Sequence, residues 1–326
     1  MAIPTSADTV TLVHLSDVHL GPLPLIPLGL LNAKRAAGAL NWFHKRRHVH
    51  RPDVAARLAR DVAGLGADHI AVSGDLANLG LPEEISRAAA WLRQLGPPDQ
   101  VSVVPGNHDI YSVVRGQRRG TAALAPWAAH FTSCAEGASY TSGPPFPFVR
   151  IVGRGAVRLA LIGLNSAIET PPLVAIGKLG SEQLRRLADC LDATARAGFV
   201  RVVMLHHPPL PGLARANHDL IDAPALAAVL KQHGAELVIH GHNHRRMISP
   251  SAGPSGQILC VGVPSASAGL SRNGEPLARA HIFEFAVGAR GAPPRIRLIA
   301  RGLGEPDGPI IELERTPLAG DGAGNQ

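Results

Sequence analysis

Five short apolar stretches of this chain each end in side chains that bind metal ions. The stretches are TVTLVHLS, HIAVS, VSVVP, VRVVML and AELVIH, and the residues that follow them include Asp17 and His19, Asp75, Asn107 to Asp109, His206 and His207, and His242 and His244. Core packing alone gives no reason for several apolar strands to end in Asp, Asn and His. Because the carboxyl ends of strands gather at one edge of an open α/β sheet, the pattern predicts a fold that brings these distant residues together.

Amphipathic segments alternate with the apolar stretches, which predicts stacked α/β units. The predicted helices are 53–65, 82–95, 181–197 and 222–233, the last three with helix-start residues at or near their first positions. Strands are predicted around 147–164 and near 257–263, 279–286 and 295–301, and the last three are expected to complete a second sheet. We predict a single domain over residues 1–315 and a disordered tail over 316–326.

Residues 21–52 interrupt this alternation. The segment is apolar and proline-rich at first, then helix-like, and then strongly basic. One interpretation is a surface loop and helix packed on the domain. The other is an amphipathic lid or membrane-surface element, since Trp42 and Phe43 beside Lys45, Arg46 and Arg47 suit an anionic lipid interface.

The charge and cysteine content favour a basic intracellular protein. The net charge of +7 and pI near 10.0 predict attraction to phosphate esters, nucleic acid or an anionic membrane, although arginines solvated on helix faces would give the same balance. Three scattered cysteines indicate reduced thiols. We see no signal peptide or membrane-spanning stretch, and we therefore predict a cytoplasmic location, with the inner membrane surface as an alternative.

The candidate ligands are too numerous for one tetrahedral ion. Residues i and i+2 of an extended chain point the same way, so Asp17 with His19, and His242 with His244, are expected to aim at one place. The full set is two Asp, one Asn and four His, which suits two ions that share a carboxylate. Carboxylate, imidazole and amide ligands fit two divalent ions of Mn, Fe or Zn. Such a pair activates a bridging hydroxide for attack on phosphorus.

The motifs D-x-H, GD, GNHD, H and GHxH resemble those of the calcineurin-like metallophosphoesterase superfamily, from residue 11 to about 245. This resemblance implies a four-layer α/β fold, with a central double β-sandwich flanked by helices. It also implies a residue-by-residue ligand assignment. Asp17, His19 and His244 would hold one metal, Asn107, His206 and His242 the second, and Asp75 would bridge them.

The resemblance also assigns the reacting groups beside the metals. His108 would lie at the leaving-group oxygen as general acid or charge stabiliser, with Asp109 orienting it. His207 could either support the ligands or face the substrate. The same two roles are open for Asn78. We interpret the other histidines as surface or hydrogen-bonded core residues, among them His50.

Departures from known branches narrow the substrate class. Purple acid phosphatases carry Tyr where this chain has Asn78, and Ser/Thr protein phosphatases carry Arg where it has Pro105. DNA nucleases of the superfamily usually add a cap domain after the GHxH motif, for which little chain remains, and we expect no obligatory nucleic acid partner. The remaining motifs resemble the bacterial class III cyclic-nucleotide phosphodiesterases.

Three functions remain open. The first is a phosphodiesterase on cyclic nucleotides or similar small phosphodiesters. The second is a peripheral-membrane pyrophosphatase or phosphatase on a lipid-linked substrate, similar to the UDP-diacylglucosamine pyrophosphatases, with residues 21–52 on an anionic membrane. The third is a non-catalytic scaffold, which the intact ligand set disfavours. The sequence leaves the oligomeric state open.

Overall fold

Two six-stranded β-sheets form the centre of the molecule. The computed structural model describes residues 8–112, 118–143, 145–288 and 294–319. The strands are β1 (Thr9–Leu15), β2 (His69–Val72), β3 (Val101–Val103), β4 (Phe148–Arg154), β5 (Val157–Gly163), β6 (Val200–Met204), β7 (Leu237–His240), β8 (Met247–Gly253), β9 (Gly256–Gly262), β10 (Arg279–Ala286), β11 (Arg295–Leu303) and β12 (Ile310–Ala319). The α-helices are α1 (Ala33–Asn41), α2 (Arg47–Val49), α3 (Pro52–Ala63), α4 (Pro82–Leu95), α5 (Ser181–Arg196) and α6 (Ala223–His233).

The first sheet has the order β12-β11-β10-β1-β2-β3. Strands β1, β2 and β3 run parallel, whereas β10 pairs antiparallel with β1 and places Phe283 opposite Leu12. The second sheet has the order β4-β5-β6-β7-β9-β8, with β5, β6, β7 and β9 parallel. Parallel strands expose their carboxyl ends at one edge, so each sheet offers one group of strand-end loops.

Apolar side chains of both sheets pack into one core between them. Leu12 and Phe283 of the first sheet and Leu161 and Met204 of the second belong to the same buried cluster. Helices α3 and α4 cover the outer face of the first sheet, and α5 and α6 cover the outer face of the second. The predicted four-layer fold with a flanked double β-sandwich is therefore confirmed, as are the four predicted helices.

The C-terminal strands differ from the prediction. Only β9, near the predicted 257–263, joins the second sheet, where it pairs with the unpredicted β8. The strands predicted at 279–286 and 295–301 instead extend the first sheet, because the edge of β1 would otherwise leave its backbone groups unpaired. Their alternating side chains gave no signal about which sheet they would join.

The predicted disordered tail begins too early. Residues Thr316 to Ala319 end β12, which pairs with β11 in an antiparallel ladder. Backbone pairing orders a stretch that carries few apolar side chains of its own. Charged residues and Pro317 suit β12 because it is an edge strand. Residues 320–326, the rest of that prediction, lie outside the described residues.

The segment 21–52 is folded and packed on the domain. Helix α1 continues through a π-helical turn, Trp42–Arg46, into α2. Its buried Lys34 donates to the carbonyl of Tyr111 and to Thr170 Oγ1, at 2.8 and 2.7 Å. A Cβ on Gly38 would lie 2.4 Å from Tyr111 Oη, so α1 approaches the domain too closely for a larger residue. Within the described residues no helix is both long enough and apolar enough to span a bilayer.

Candidate metal centre

The loops that follow β1, β2, β3, β6 and β7 meet between the two sheets. Backbone hydrogen bonds join them in pairs: Asp17 N–H donates to the Gly74 carbonyl and His19 N–H to the Asp75 carbonyl, both at 2.9 Å. Across the second sheet, Gly241 N–H donates to the His206 carbonyl at 3.0 Å. These contacts fix the relative positions of side chains that are up to 227 residues apart, from Asp17 to His244.

Asp17, His19 and His244 form the first cluster of possible ligands. The Nε2 atoms of His19 and His244 lie 3.3 Å apart, and His244 Nε2 lies 3.3 Å from Asp17 Oδ1. The three ligand atoms are all within 4.8 Å of one another. This is the set that the family resemblance implied for one metal.

Asn107, His206 and His242 form the second cluster. Asn107 Oδ1 lies 3.2 Å from His206 Nε2 and 3.0 Å from His242 Nδ1, and the two imidazole nitrogens are 3.2 Å apart. The structure thus brings together the three residues that the resemblance implied for the second metal.

Asp75 lies between the two clusters. Its Oδ2 is 3.8 Å from His19 Nε2 in the first cluster and 3.5 Å from His206 Nε2 in the second. Its Oδ1 accepts the His108 backbone N–H at 2.8 Å. Asp17 is also close to both sides, since it can be grouped with Asp75 and His206 as well as with His19 and His244. The position of Asp75 is the one expected for a bridging carboxylate.

The donor set fits two divalent cations. Asp17, His19, Asp75 and His206 are buried, and their ligand atoms lie close together. Asp17 Oδ1 makes no well-aligned hydrogen bond in the described part of the chain and faces His244 Nε2 at 3.3 Å. A buried carboxylate is costly unless positive charge lies beside it. Nitrogen and oxygen ligands without a thiolate accommodate Mn, Fe or Zn and do not choose among them.

Neighbouring acceptors orient three of the imidazoles. His19 Nδ1 faces the Ala77 carbonyl at 3.2 Å, His206 Nδ1 faces the Ser73 carbonyl at 2.7 Å, and His244 Nδ1 faces Glu275 Oε2 at 3.2 Å. Each Nδ1–H donates outward, which leaves Nε2 free to bind a metal. Burial lowers the pKa of His244, but Asp17 and Glu275 more than offset this and raise it to about 10. A metal at this position must therefore displace a proton, and its affinity falls as the pH falls.

Several of the candidate ligands have left-handed backbone conformations. The φ angles of Asp17, His19, Asp75, His242 and His244 are 54°, 43°, 55°, 72° and 53°. Such conformations are uncommon outside glycine and cost on the order of 1 kcal/mol or more each. The extended geometry from which we predicted the two i, i+2 pairs is therefore wrong locally, although both pairs do converge. The tight loops let the side chains meet without extended backbone.

Two glycines allow this close packing. A Cβ on Gly106 would lie 2.2 Å from Asp75 Oδ1, and one on Gly241 would lie 1.9 Å from Ser16 Oγ and 2.6 Å from Asp17 Oδ2. Any larger residue would push a candidate ligand out of place. The GN and GH motifs therefore require glycine for steric reasons.

His108 lies at the mouth of the centre with a fixed ring. Its Nδ1–H donates to the Asn78 carbonyl at 2.6 Å, and Tyr111 stacks on it with ring centroids 5.3 Å apart. Burial, followed by the charge of Arg46, lowers the pKa of His108 to about 3. The ring is therefore neutral in the free protein at neutral pH.

Asp109 does not orient His108 as predicted. Its carboxylate accepts backbone N–H groups of Asp75, Leu76, Ala77 and Gly106, at 2.8 to 2.9 Å. Both carboxylate oxygens of Asp109 are taken by these backbone donors, and the side chain holds the GD loop against the GNHD loop. The Asn78 carbonyl and Tyr111 orient the His108 ring, the role that the resemblance implied for Asp109.

The two residues left open, His207 and Asn78, lie behind the centre. Both ring nitrogens of buried His207 are engaged, Nδ1 with Ser166 Oγ at 2.8 Å and Nε2 with the Ala175 carbonyl at 3.2 Å. Its ring packs 4.6 Å from that of His242. Asn78 donates from Nδ2 to the Leu20 carbonyl at 3.1 Å. Both residues therefore support the ligand loops.

Sequence patterns did not identify three residues that lie near the centre. Arg46 places Nη1 3.3 Å from His108 Nδ1 and 3.4 Å from His19 Nδ1. Glu275 orients His244, and His50, which we interpreted as an ordinary core histidine, packs its ring 4.5 Å from that of His19. None of the three belongs to a motif. The helix-plus-basic pattern of 21–52 was the one available signal, and it did not distinguish Arg46 from its neighbours.

The centre opens into a cavity of about 670 Å³. Asp75, Asn107, His108, His242 and His244 form its floor, and its walls include Arg46, Arg215, His218, Arg245 and Glu275. The walls carry more positive than negative side chains. The cavity therefore suits an anionic ligand that reaches the two clusters.

Comparisons with known proteins identify the family and a shared fold. The sequence model of the calcineurin-like phosphoesterase family matches residues 10–246. A purple acid phosphatase from yellow lupin (Lupinus luteus) seeds has a similar fold, with a TM-score of 0.55 and 11% identity over 96% of this chain, which spans 54% of that longer enzyme. A dimetal phosphatase from Danio rerio is similar at a TM-score of 0.50 and 14% identity, over 94% of this chain and 98% of its own. No curated protein matches the chain.

These two structures are too distant in sequence to indicate more than a common fold. The family match is a stronger finding, because it covers more than half of the chain and contains all seven candidate ligands. The chain therefore belongs to the calcineurin-like phosphoesterase family.

Proposed function

We propose that the chain is a phosphodiesterase that uses two divalent ions to hydrolyse cyclic nucleotides or similar small phosphodiesters. Its family already makes it a metal-dependent phosphoester hydrolase, and the proposal concerns the substrate class. The observation that carries it is the pair of ligand clusters around Asp75, at the floor of a basic cavity.

The side chains divide the chemistry among them. Two divalent ions, when bound, would supply an activated water and take up negative charge at phosphorus. Asp75 and the two clusters fix where those ions lie, and Asp109 keeps the two loops in register. His108, held by the Asn78 carbonyl, faces the cavity where the leaving-group oxygen would sit. Preorganised groups of this kind act without reorganising during the reaction.

Two sequence departures argue against the Ser/Thr protein phosphatase and the purple acid phosphatase branches. Pro105 stands where Ser/Thr protein phosphatases have a phosphate-gripping Arg, and Asn78 stands where purple acid phosphatases have a metal-binding Tyr. In this chain Asn78 donates to the Leu20 carbonyl, away from the ligand clusters. These features resemble those of the bacterial class III cyclic-nucleotide phosphodiesterases, and we place the chain near that branch.

Metal removal should abolish hydrolysis of a simple diester. We expect protein stripped by a chelator to leave bis(p-nitrophenyl) phosphate intact, and two equivalents of Mn²⁺, Fe²⁺ or Zn²⁺ per chain to restore turnover, because both clusters must be filled. Release of nitrophenolate and elemental analysis measure this, and cyclic nucleotides, glycerophosphodiesters and nucleotide-lipid pyrophosphates in parallel rank the substrates. A chain that holds two ions and cleaves none of them would be a scaffold.

A second candidate function is hydrolysis of a lipid-linked phosphate or pyrophosphate at an anionic membrane. Its specific support is a group of exposed apolar side chains on residues 21–52: Leu25 is 95% exposed, Leu28 89%, Leu40 61% and Phe43 50%. Large apolar side chains on a surface that is also basic are typical of interfacial binding. Arg46 of the same segment lines the cavity, so a membrane bound to this segment would lie near the candidate metal centre.

Liposome flotation tests the second candidate. We expect the wild type to float with vesicles that contain anionic phospholipid and a Leu25→Gln/Leu28→Gln variant to remain at the bottom, because burying each leucine contributes roughly 1.5–3 kcal/mol. Vesicles of neutral lipid are the control for charge. A wild-type protein that never floats and ignores lipid substrates leaves only the small-diester proposal.

A further inference from the structure

Arg46 points from the segment 21–52 into the candidate metal centre. It ends the π-helical turn Trp42–Arg46, and its guanidinium lines the same cavity as Asp75, Asn107 and His108. Its Nη1 is 3.3 Å from His108 Nδ1 and 3.4 Å from His19 Nδ1. A positive side chain therefore stands beside two clusters that are built to hold positive ions.

The two imidazole nitrogens next to Arg46 cannot accept its protons. His108 Nδ1 must carry hydrogen because it faces the Asn78 carbonyl at 2.6 Å. His19 Nδ1 must carry hydrogen because it faces the Ala77 carbonyl at 3.2 Å. Since a guanidinium has five N–H donors and no acceptor, Arg46 meets other donors here, and neither imidazole satisfies its N–H groups.

Two other arginines of the cavity wall, Arg245 and Arg246, are already engaged. Arg246 pairs with Glu314, and Arg245 donates to the Asn273 carbonyl at 2.6 Å. Arg46, in contrast, forms no ion pair within 4.0 Å in the described residues. Asp75, Asp17 and Glu275 lie close enough to attract its charge, but Asp75 and Asp17 belong to the candidate metal ligands and Glu275 contacts His244. A partly buried guanidinium without a hydrogen-bonded counter-ion is costly, so its position suits an anion that enters the cavity.

The segment holds Arg46 rigidly in this position. Upstream, Arg35 is buried and donates to the carbonyls of Leu30, Leu79 and Ser112. Downstream, His50 N–H donates to the Arg46 carbonyl at 2.8 Å, and Arg51 N–H donates to the Ser267 carbonyl at 2.9 Å. Anchors on both sides reduce the entropy that Arg46 would lose on binding a ligand.

We propose that Arg46 binds the phosphate group of the substrate, and of the product, beside the two metal positions. The proposal rests on the proposed function and names a recognition residue that lies outside the family motifs. Guanidinium matches two phosphate oxygens at once, and from its place next to His108 the fork reaches a phosphoryl group seated over Asp75. The insertion 21–52 would thus complete the active site.

The test compares Arg46→Ala, Arg46→Lys and a control, Arg60→Ala, which removes an equal charge from the exposed side of α3. Binding of inorganic phosphate to the metal-loaded protein is measured by calorimetry, together with KM and kcat for bis(p-nitrophenyl) phosphate. We expect Arg46→Ala to weaken phosphate binding and to lower kcat/KM by about 10- to 100-fold. Arg46→Lys should fall between it and the wild type, because it keeps the charge and loses the fork. Arg60→Ala should match the wild type.

Metal content and thermal midpoint separate this role from a structural one. Full metal loading with weakened phosphate binding supports the proposal. Unchanged phosphate affinity in a folded, loaded Arg46→Ala variant overturns it. So does a variant that loses metal and regains wild-type phosphate affinity at saturating metal, since Arg46 would then only position His19. Phosphate binding needs no turnover, so a wild type that binds phosphate through Arg46 but cleaves no ester contradicts the proposed function alone.

Discussion

Replacement of Asp75 by Asn is expected to reduce turnover by about 10³-fold or more, because one carboxylate serves both ligand clusters. Its Oδ2 lies 3.8 Å from His19 Nε2 and 3.5 Å from His206 Nε2, so the same oxygen is within reach of both metal positions. The loss of its negative charge weakens both ions together. Elemental analysis should show less than two ions per chain, and diester hydrolysis should fall to background.

The hydrogen bond from His108 increases the effect of Asp75→Asn on metal binding, although the two side chains have nearly the same size. In the wild type the His108 backbone N–H donates to Asp75 Oδ1 at 2.8 Å. An amide at position 75 must keep its oxygen on that side, because its NH₂ group cannot accept the bond. The NH₂ group then faces the metals, where a donor cannot act as a ligand.

A matched control lies at the other end of the same strand. Asp68→Asn makes the same chemical change just before β2, where the side chain accepts Thr11 N–H and pairs with Arg154. It should keep both ions and near-wild-type turnover, even if stability drops. An Asp75→Asn protein with two tightly bound ions and normal rates would show that Asp17, which also lies near both clusters, is the shared carboxylate.

The ligand set could be predicted from the sequence because each ligand follows an apolar strand. Parallel strands such as β1 and β2 must end at one edge, whatever the details of their loops. The local geometry could not be predicted in the same way. Asp17 and His244 reach the centre from left-handed conformations, which depend on close approach at Gly106 and Gly241. Those contacts form only when the two sheets pack together.

The supporting residues were beyond the reach of sequence patterns for a different reason. Glu275, Ser166 and Arg46 come from loops and a helical turn with no motif and no fixed spacing from the histidines they contact. Asp109 shows the opposite error. The resemblance implied that it orients His108, but its carboxylate binds four backbone N–H groups of the two loops. Adjacency in the chain did not indicate which way the side chain turns.

Replacement of His108 by Ala should leave both metals bound and lower the rate by about 10²- to 10⁴-fold, the usual contribution of general acid–base catalysis. His108 belongs to neither ligand cluster, and its ring is held by the Asn78 carbonyl and Tyr111. Metal content and thermal midpoint of the variant should therefore match the wild type. Asn78→Ala is a suitable control because it removes a side chain of the same loop and keeps the carbonyl that holds the ring.

A comparison of alkyl and nitrophenyl leaving groups distinguishes the two possible roles of His108. Because Nδ1–H donates to Asn78, the ring can give up a proton from Nε2 only when it is doubly protonated, and burial lowers the pKa of His108 to about 3 in the free protein. An anionic substrate must raise that pKa before the ring can act as an acid, and activity on an alkyl diester should then decline as the pH rises. As an acid, His108 matters far more for alkyl than for nitrophenyl leaving groups, which depart without a proton. Equal losses of rate for both leaving groups would instead show that His108 acts on the phosphoryl oxygens. There a neutral ring near Arg46 would stabilise the negative charge of the phosphate and would not protonate the departing alcohol.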